Sequence, residues 1–451
     1  MAQAVVPPGP RGSFLIGSMR EFSRNSLNFM TDQRQFGDVS SFMFGPFRVY
    51  VANSPEPIHE VLVTRADKFH KSATIKRVLN PLLGQGIFTS DGELWKKQRR
   101  LVSPAFHTRR VGAYGAVMVD YAGQMVASWR DDQVLEVDHE MAGLTMRIIS
   151  KILFDAEVGP DADIISASVS DALHVVNDRM NRFFASPRWV PTRENRLYYG
   201  AIERLNALIF RFMADRRRSG EDKGDVLSML LAAQEEDGER MTDEQIRSEA
   251  MTLFGAGHET TALALTWTWY LLSQHPDVEA RLHEELTRVL GGRAPEVSDL
   301  PQLAYTEQIV KEAMRLYPPA WGTSRDSIEE VEIGGYTLPK ETVIMIPIFA
   351  VHRDPRWWNN PEMFDPDRFA PEAEKQIPKY AYLPFGAGPR VCIGNALAMM
   401  EAKLVLATVA QRYTLDLAPG QKVEPERVFT LRPKYGMKMI ARQREMAPAF
   451  A

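Results

Sequence analysis

Cysteine is almost missing from this chain of 451 residues: there is one, Cys392. A single thiol excludes an internal disulfide and any metal cage built from several thiolates. Long apolar runs are missing too. No segment reaches the ~18 uninterrupted apolar residues that a membrane span requires, and the richest, Ala262 to Leu272, is short and holds Thr266 and Thr268. The first residues run from Met1 into Pro7-Pro8-Gly9-Pro10 without the basic start and apolar stretch of a secretory signal. One thiol, no export signal and no transmembrane anchor imply a cytoplasmic protein. A surplus of charge is also lacking: 54 basic residues face 58 acidic ones, a net charge of −4, which gives no reason to expect nucleic acid as a partner. Finally, no repeat, charge block or Ser/Gly-rich linker divides the chain. Residues 1–451 therefore read as one large unit behind a proline-rich segment, 1–20, although length alone would suggest about three domains.

What is present is an ordinary apolar fraction, 45%, arranged mostly with helical periodicity. Phe22 to Gln35 reads as a helix. Strands at Ser40–Phe44 and Arg48–Ala52 flank Gly45-Pro46, and helix returns near Pro55–Thr64. Thr74 to Asp91 reads as irregular and apolar. Helices dominate beyond it, until Val331–Ile333, a Gly334-Gly335 turn, Tyr336–Leu338 and Thr342–Pro347 add strand character. The fold class expected is mainly α with a small β portion drawn from 37–55 and 331–347. Thr242, with Gln245 three residues on, is a capping-box start for a helix that runs to about Ser273, where Pro276 follows. Such a helix is roughly 45–50 Å long at 1.5 Å per residue. Its middle, Phe254-Gly255-Ala256-Gly257-His258-Glu259-Thr260-Thr261, is built from poor helix formers, a cost that points to a use.

Cys392 lies in Phe385-Gly386-Ala387-Gly388-Pro389-Arg390-Val391-Cys392-Ile393-Gly394, ahead of a helical run from Ala396 to Arg412. An isolated thiol is more often a buried structural residue. Here glycines let backbone approach a large flat object and a basic residue stands two positions before the sulfur, conditions that suit a thiolate ligand to haem iron. The ten residues fill the pattern F-x-x-G-x-R-x-C-x-G, and the chain thereby resembles the cytochrome P450 family from about Trp95 to its end.

The resemblance implies haem b, iron protoporphyrin IX, as cofactor, with Cys392 on the iron and the haem between the long central helix and the cysteine-loop helix. Phe385, Gly386 and Ala256 would border it. Ala256-Gly257-His258-Glu259-Thr260-Thr261 matches the family's oxygen-activating motif. Small residues leave room for dioxygen, Thr260 offers the hydroxyl and Glu259 the acid that relays protons. The alternative is a helix kink filled by small residues, and it is the presence of the cysteine loop that favours the functional reading. Glu312-Ala313-Met314-Arg315 matches the E-x-x-R pair, and Arg368, in Pro366-Asp367-Arg368-Phe369, supplies the third member of a buried triad that braces the cysteine loop. Taken alone, such a pair three residues apart is usually a solvated surface contact. Trp95 and Arg99 match W-x-x-x-R, and with Arg390 and Arg325 they are expected at the haem propionates. The basic run Lys96, Lys97, Arg100, Arg109 and Arg110 is either a docking face for an acidic electron donor or a solvated face.

Two rival chemistries fail on spacing. His258-Glu259 starts a zinc-protease motif, but Ala262 stands where its second histidine belongs, and His283-Glu284 ends likewise at Thr287. Gly386-x-Gly388 lacks the third glycine of a dinucleotide loop, Val391 taking its place. By family position the substrate pocket is lined by Leu79, Leu82, Leu83, Ile87, Ala256, Thr260, Ala320, Trp321, Thr430 and Leu431. These are mainly apolar, as suits a hydrophobic small molecule such as a fatty acid, terpenoid or polyketide, and equally suits plain core packing. The Ala256–Thr261 motif and Val102-Ser103-Pro104-Ala105-Phe106-His107 lean toward family members that act on fatty acids or isoprenoids.

The function expected is that of a haem-thiolate monooxygenase, which inserts one atom of O2 into such a substrate. No cysteine remains for an iron–sulfur cluster, and the resemblance implies that its electrons come from a separate ferredoxin or flavodoxin and an NAD(P)H-dependent reductase. The alternatives are a peroxide-driven peroxygenase or isomerase, against which Glu259 and Thr260 argue, and a non-catalytic haem-binding sensor.

Overall fold

The capping box read at Thr242 forms. Its hydroxyl accepts from the N–H of Gln245 at 3.2 Å, while Gln245 Oε1 accepts from the N–H of Thr242 at 2.8 Å. With two of its orphan N–H groups satisfied in this way, the helix that follows runs unbroken from Asp243 to Gln274. The computed structural model describes residues 6–155, 165, 167–169, 171–172, 175–176, 179, 187–234, 238 and 240–444, and the side chain of Arg109 lies outside that description. The helices that matter below are α1 (Ala73–Leu83), α2 (Val137–Phe154), α3 (Asp243–Gln274), α4 (Ala304–Leu316) and α5 (Asn395–Ala410).

The described chain groups into two compact units. The helical one comprises Thr74–Glu307, Gly394–Glu424 and the residues from Pro433 on. At its centre α3 packs against α2 and α5. The approach of α2 is close because Gly257 has no side chain: a Cβ there would lie 2.7 Å from Ile149 Cδ1. Two polar contacts fix the crossing. Thr145 Oγ1 donates to the carbonyl of His258 at 3.0 Å, and His258 Nε2 meets the carbonyl of Ala142 at 3.1 Å. A three-stranded antiparallel sheet of Val134–Glu136, Lys438–Gln443 and Tyr413–Leu417 completes this unit.

The other unit holds the described residues up to Ala73, Gln308–Ile393 and Pro425–Arg432. Its strands are β1 (Val39–Phe44), β2 (Phe47–Ala52), β3 (Phe69–Lys71), β4 (Thr323–Ser327), β5 (Val331–Ile333), β6 (Tyr336–Leu338) and β7 (Val343–Ile346). The main sheet has the order β1-β2-β7-β4-β3, with only β2 and β7 parallel. Val39, Tyr50, Ile58, Phe69, Ile344 and Leu383 are among the side chains of one core under it.

Three local readings change. Phe22–Gln35 is not one helix but two, Met19–Arg24 and Ser26–Asp32, because Asn25 leaves helical geometry and caps the second by accepting from Asn28 N–H at 3.1 Å. The stretch Thr74–Asp91 is helical as far as Leu83. Pro81 sits in its last turn, and the chain leaves the helix at Gly84 with φ +63°. Of the stretch 331–347, only Val343–Ile346 joins the main sheet. Gly334 and Gly335, at φ +55° and +79°, fold β5 back on β6 as a separate hairpin. Strands β3 and β4, too polar to announce themselves, supply the rest of the sheet.

Candidate functional site

The cysteine loop is held open by its glycines. Gly386 and Gly388 adopt φ +71° and +68°, which side chains strongly disfavour. At Gly388 a Cβ would also collide with the carbonyl oxygen of Leu62, whereas nothing lies within 4 Å of the missing Cβ at Gly386. The loop closes when Cys392 N–H donates to the carbonyl of Phe385 at 3.0 Å and Val391 N–H to that of Gly388 at 3.1 Å. Phe385 and Arg390 are half-buried, and Cys392 itself is exposed. That is an unusual address for a lone cysteine, a residue type more often fully buried. An open thiol on a glycine-shaped loop suits a ligand that arrives from outside the protein core.

Glu312 and Arg315 of α4 pair through two contacts, 2.7 and 2.8 Å, with both side chains at 0% exposure. Arg368 Nε stands 3.3 Å from Glu312 Oε1, and the N–H of Asp365 donates to the same oxygen at 3.0 Å. Burial raises the carboxyl of Glu312 above its ordinary value, while Arg315, Asp365 N–H and Arg368 pull it down. Arg315 spends its remaining donors on the carbonyls of His352, Pro361 and Met363 at 2.7 to 3.0 Å. The three residues read from the sequence therefore do converge, and they stitch α4 to the 352–368 segment.

His352 was not singled out by any spacing pattern, and it ties that network to the entry of the cysteine loop. The N–H of Leu383 donates to His352 Nε2 at 2.7 Å, which makes Nε2 the acceptor and puts the ring hydrogen on Nδ1, 3.3 Å from the carbonyl of Arg315. Total burial and the nearby charges of Arg315 and Arg353 push its pKa down to about 3, so the imidazole is neutral.

In the helical unit, α3 is buried from Ile246 to Trp269 except at Gly255, Ala256, Gly257, Glu259 and Thr260. Ala256 is exposed in the middle of that otherwise closed span. Small residues thus open a window in the helix, and the hydroxyl of Thr260 stands in it, donating to the carbonyl of Ala256 at 2.7 Å. His258 faces the opposite way, into α2. Burial lowers its pKa to about 4, so it too is neutral.

The remaining sequence-predicted residues are distributed as follows. Trp95 and Arg99 are half-buried on the helix Gly92–Val102, and Ser103 Oγ donates to the carbonyl of Arg99 at 2.6 Å. Arg325 on β4 is buried, its Nη1 donating to Thr323 Oγ1 and to the carbonyl of Ser324. Lys96 pairs with Glu93 at 2.7 Å, and Arg100 and Arg110 are exposed. Of the pocket residues, Ala256 and Ala320 are exposed and Leu83 is half-buried, while Leu79, Leu82, Ile87 and Thr430 are buried. Trp321 and Leu431 share a core cluster with Leu27, and the indole N–H of Trp321 donates to the carbonyl of Val428 at 3.1 Å.

Among the described residues, no group of His, Cys, Asp and Glu side chains is arranged to hold a metal ion by itself. No helix among them is long and apolar enough to cross a membrane. An exposed lone thiol on a glycine-shaped loop fits a large cofactor that brings its own metal.

The comparisons with known proteins agree. The model of the family described as Cytochrome P450 matches residues 7–440. Cyclooctatin synthase of Streptomyces melanosporofaciens is 40% identical over 94% of this chain and 92% of its own length. Cyclooctat-9-en-7-ol 5-monooxygenase of the same organism is 36% identical over 90% and 88%. Pentalenene oxygenase of Streptomyces avermitilis is 32% identical over 92% and 93%. Among solved structures, the heme domain of cytochrome P450DA superposes with a TM-score of 0.89 over 99% of this chain and 100% of that one, at 29% identity. With haem as its cofactor, the chain belongs to the cytochrome P450 family and is a P450 monooxygenase.

Proposed function

We propose that this monooxygenase hydroxylates a terpenoid-like substrate, with Cys392 as the iron ligand and Thr260 and Glu259 as the proton relay. The observation that carries the assignment is the window at Gly255–Thr260, the one break in the buried span of α3, with a hydroxyl standing in it. When bound, haem supplies the binding and reductive activation of O2. One oxygen atom enters a C–H bond of the substrate, and the other leaves as water after two electrons and two protons are delivered.

The protein's own part is positional. Arg390, Trp95, Arg99 and Arg325 would meet the propionates, and Phe385, Gly386 and Ala256 would border the ring. Glu312, Arg315 and Arg368 would keep the loop that carries Cys392 in one place. Thr260 Oγ1 is both donor and acceptor, so it can pass a proton toward the oxygen site while Glu259, the neighbouring carboxylate, resupplies it. Hydrogen-bond donors held in place before reaction are worth more in a dry site than in water. Leu79, Leu82, Leu83, Ile87, Ala320, Trp321, Thr430 and Leu431 would supply the mainly apolar lining.

The terpenoid assignment is supported by relatives whose names describe an oxygenase of pentalenene and a monooxygenase of an alkenol. Electrons would come from a ferredoxin or flavodoxin and its NAD(P)H-dependent reductase, consistent with a cytoplasmic enzyme. The test is reconstitution. Purified holoprotein should give the reduced carbonyl spectrum of a thiolate-ligated haem, and should hydroxylate a terpenoid when supplied with a ferredoxin, its reductase and NADPH. A spectrum of the nitrogen-ligated kind rejects Cys392. Turnover with peroxide alone, and none with the reductase system, favours a peroxygenase instead.

A further inference from the structure

The face of α3 that carries the window continues toward the helix N-terminus. At 3.6 residues per turn, Glu249, Thr252, Ala256 and Thr260 fall on one stripe. Glu249 is fully buried at 0% exposure, and its Oε2 accepts from the N–H of Ile87 at 3.0 Å. Its Oε1 is closed off from solvent and has no hydrogen-bond partner. Burial pushes this carboxyl up to about 7, so much of it is protonated near neutral pH. Because Oε2 accepts from Ile87, the protonated oxygen is Oε1, a buried O–H donor with nothing to donate to.

Thr252, one turn on and 2% exposed, has the same deficit. Elsewhere in this helix Thr260, Thr266 and Thr268 each donate to the carbonyl four residues back, at 2.7 to 2.8 Å. Thr252 does not. Its Oγ1 instead faces Gly86, where any side chain would collide with it. Two neighbouring buried oxygens without partners are costly unless a guest satisfies them. The chain around them is held in place: Arg247 donates to the carbonyl of Leu82 at 2.8 Å, and Glu249 holds Ile87. Leu82 and Ile87 are two of the residues assigned to the substrate pocket above.

We propose that Glu249 and Thr252 form a polar anchor for a hydroxyl group carried by an otherwise apolar substrate, at the end remote from the carbon that is oxidised. A hydroxyl suits both partners, since its oxygen accepts from Glu249 and its hydrogen goes to Thr252 Oγ1. The helix sets the reach. Eleven residues separate Glu249 from Thr260, roughly 16 Å of axis at 1.5 Å per residue, the length of an extended sesqui- or diterpenoid alcohol. The reaction that supplies this substrate must then be one that leaves an oxygen on the carbon skeleton before this enzyme acts. The inference rests on the proposed function, because Thr260 marks the reacting end.

Calorimetric and spectral titration of the haem-loaded protein with geraniol, farnesol and geranylgeraniol, each against its deoxygenated hydrocarbon, tests the anchor. At least one alcohol should bind about tenfold tighter than its hydrocarbon, the worth of one good buried hydrogen bond. Glu249→Leu should erase that preference and Glu249→Gln, which keeps a neutral donor, should retain most of it. Thr252→Val leaves the Ile87 bond intact, so it should weaken alcohol binding alone even if Glu249→Leu fails to fold. If no alcohol outbinds its hydrocarbon, or if the preference survives Thr252→Val and Glu249→Leu, the two oxygens hold only buried water and the anchor is rejected. A protein without a thiolate-type carbonyl spectrum would reject the oxygenase reading itself, a separate outcome.

Discussion

Glu312, at 0% exposure, accepts from one guanidinium through both oxygens, faces a second and takes a backbone N–H. Removing it leaves the fully buried guanidinium of Arg315 without its carboxylate, and breaking a buried pair in this way costs about 3–5 kcal/mol. Glu312→Ala is therefore expected to yield little or no haem-loaded protein. Haem content and thermal midpoint measure this directly, and normal holoprotein from that mutant would contradict a bracing role. Thr260 lives on a different link, chemistry rather than folding. Its hydroxyl donates to a carbonyl of its own helix, so Thr260→Ala should fold, take up haem and bind substrate as before. What should change is the fraction of NADPH electrons that appear in product, with the remainder released as hydrogen peroxide. An unchanged ratio would remove Thr260 from the proton path.

At the scale of elements, the two glycines that flank Ala256 face different surroundings. A Cβ at Gly255 meets nothing closer than Leu83 Cδ2 at 4.0 Å, so Gly255→Ala should recover up to about 1 kcal/mol of helix propensity. At Gly257 the same methyl comes within 2.7 to 3.0 Å of Ile149, so α2 and α3 must part or Ile149 must leave its rotamer. Overpacking of this kind costs about 1–3 kcal/mol, enough to outweigh the propensity gain. Denaturant midpoints of Gly257→Ala, with and without Ile149→Ala, should show the loss and its relief as a coupling between neighbours.

This difference between the two glycines was not legible in the sequence, which showed only that both are poor helix formers. The capping box at Thr242 was legible because its two partners lie three residues apart. The grouping of Glu312, Arg315 and Arg368 came from a family pattern, since periodicity alone would have left Arg368 as a surface charge. His352 and Glu249 left no trace, for their partners, Leu383 and Ile87, are backbone groups that any residue could offer.

Across the whole molecule, buried groups kept neutral by the fold set the response to pH. His352, His258 and His283 have pKa values pushed down to about 3, 4 and 4, with burial the leading cause in each. When the pH falls below the ordinary 6.5, the unfolded chain binds protons that the folded one refuses. Stability from these groups is therefore full above 6.5 and is lost as the pH drops toward 3. Glu249 and Glu279 are raised to about 7 by burial, and Glu401 is raised well above 4.5. These act with the opposite sign. Their contribution is complete below 4.5 and is lost as the pH climbs, through about 7 for the first two. Between 4.5 and 6.5 the two sets oppose each other, so the thermal midpoint should be nearly flat there and fall on both sides. A melting series at constant ionic strength checks the shape. Glu249→Gln should flatten the alkaline limb and leave the acid limb alone, and His352→Asn should do the reverse. A curve that rises steadily from pH 5 to 8 would mean that these carboxyls are ionised in the folded protein.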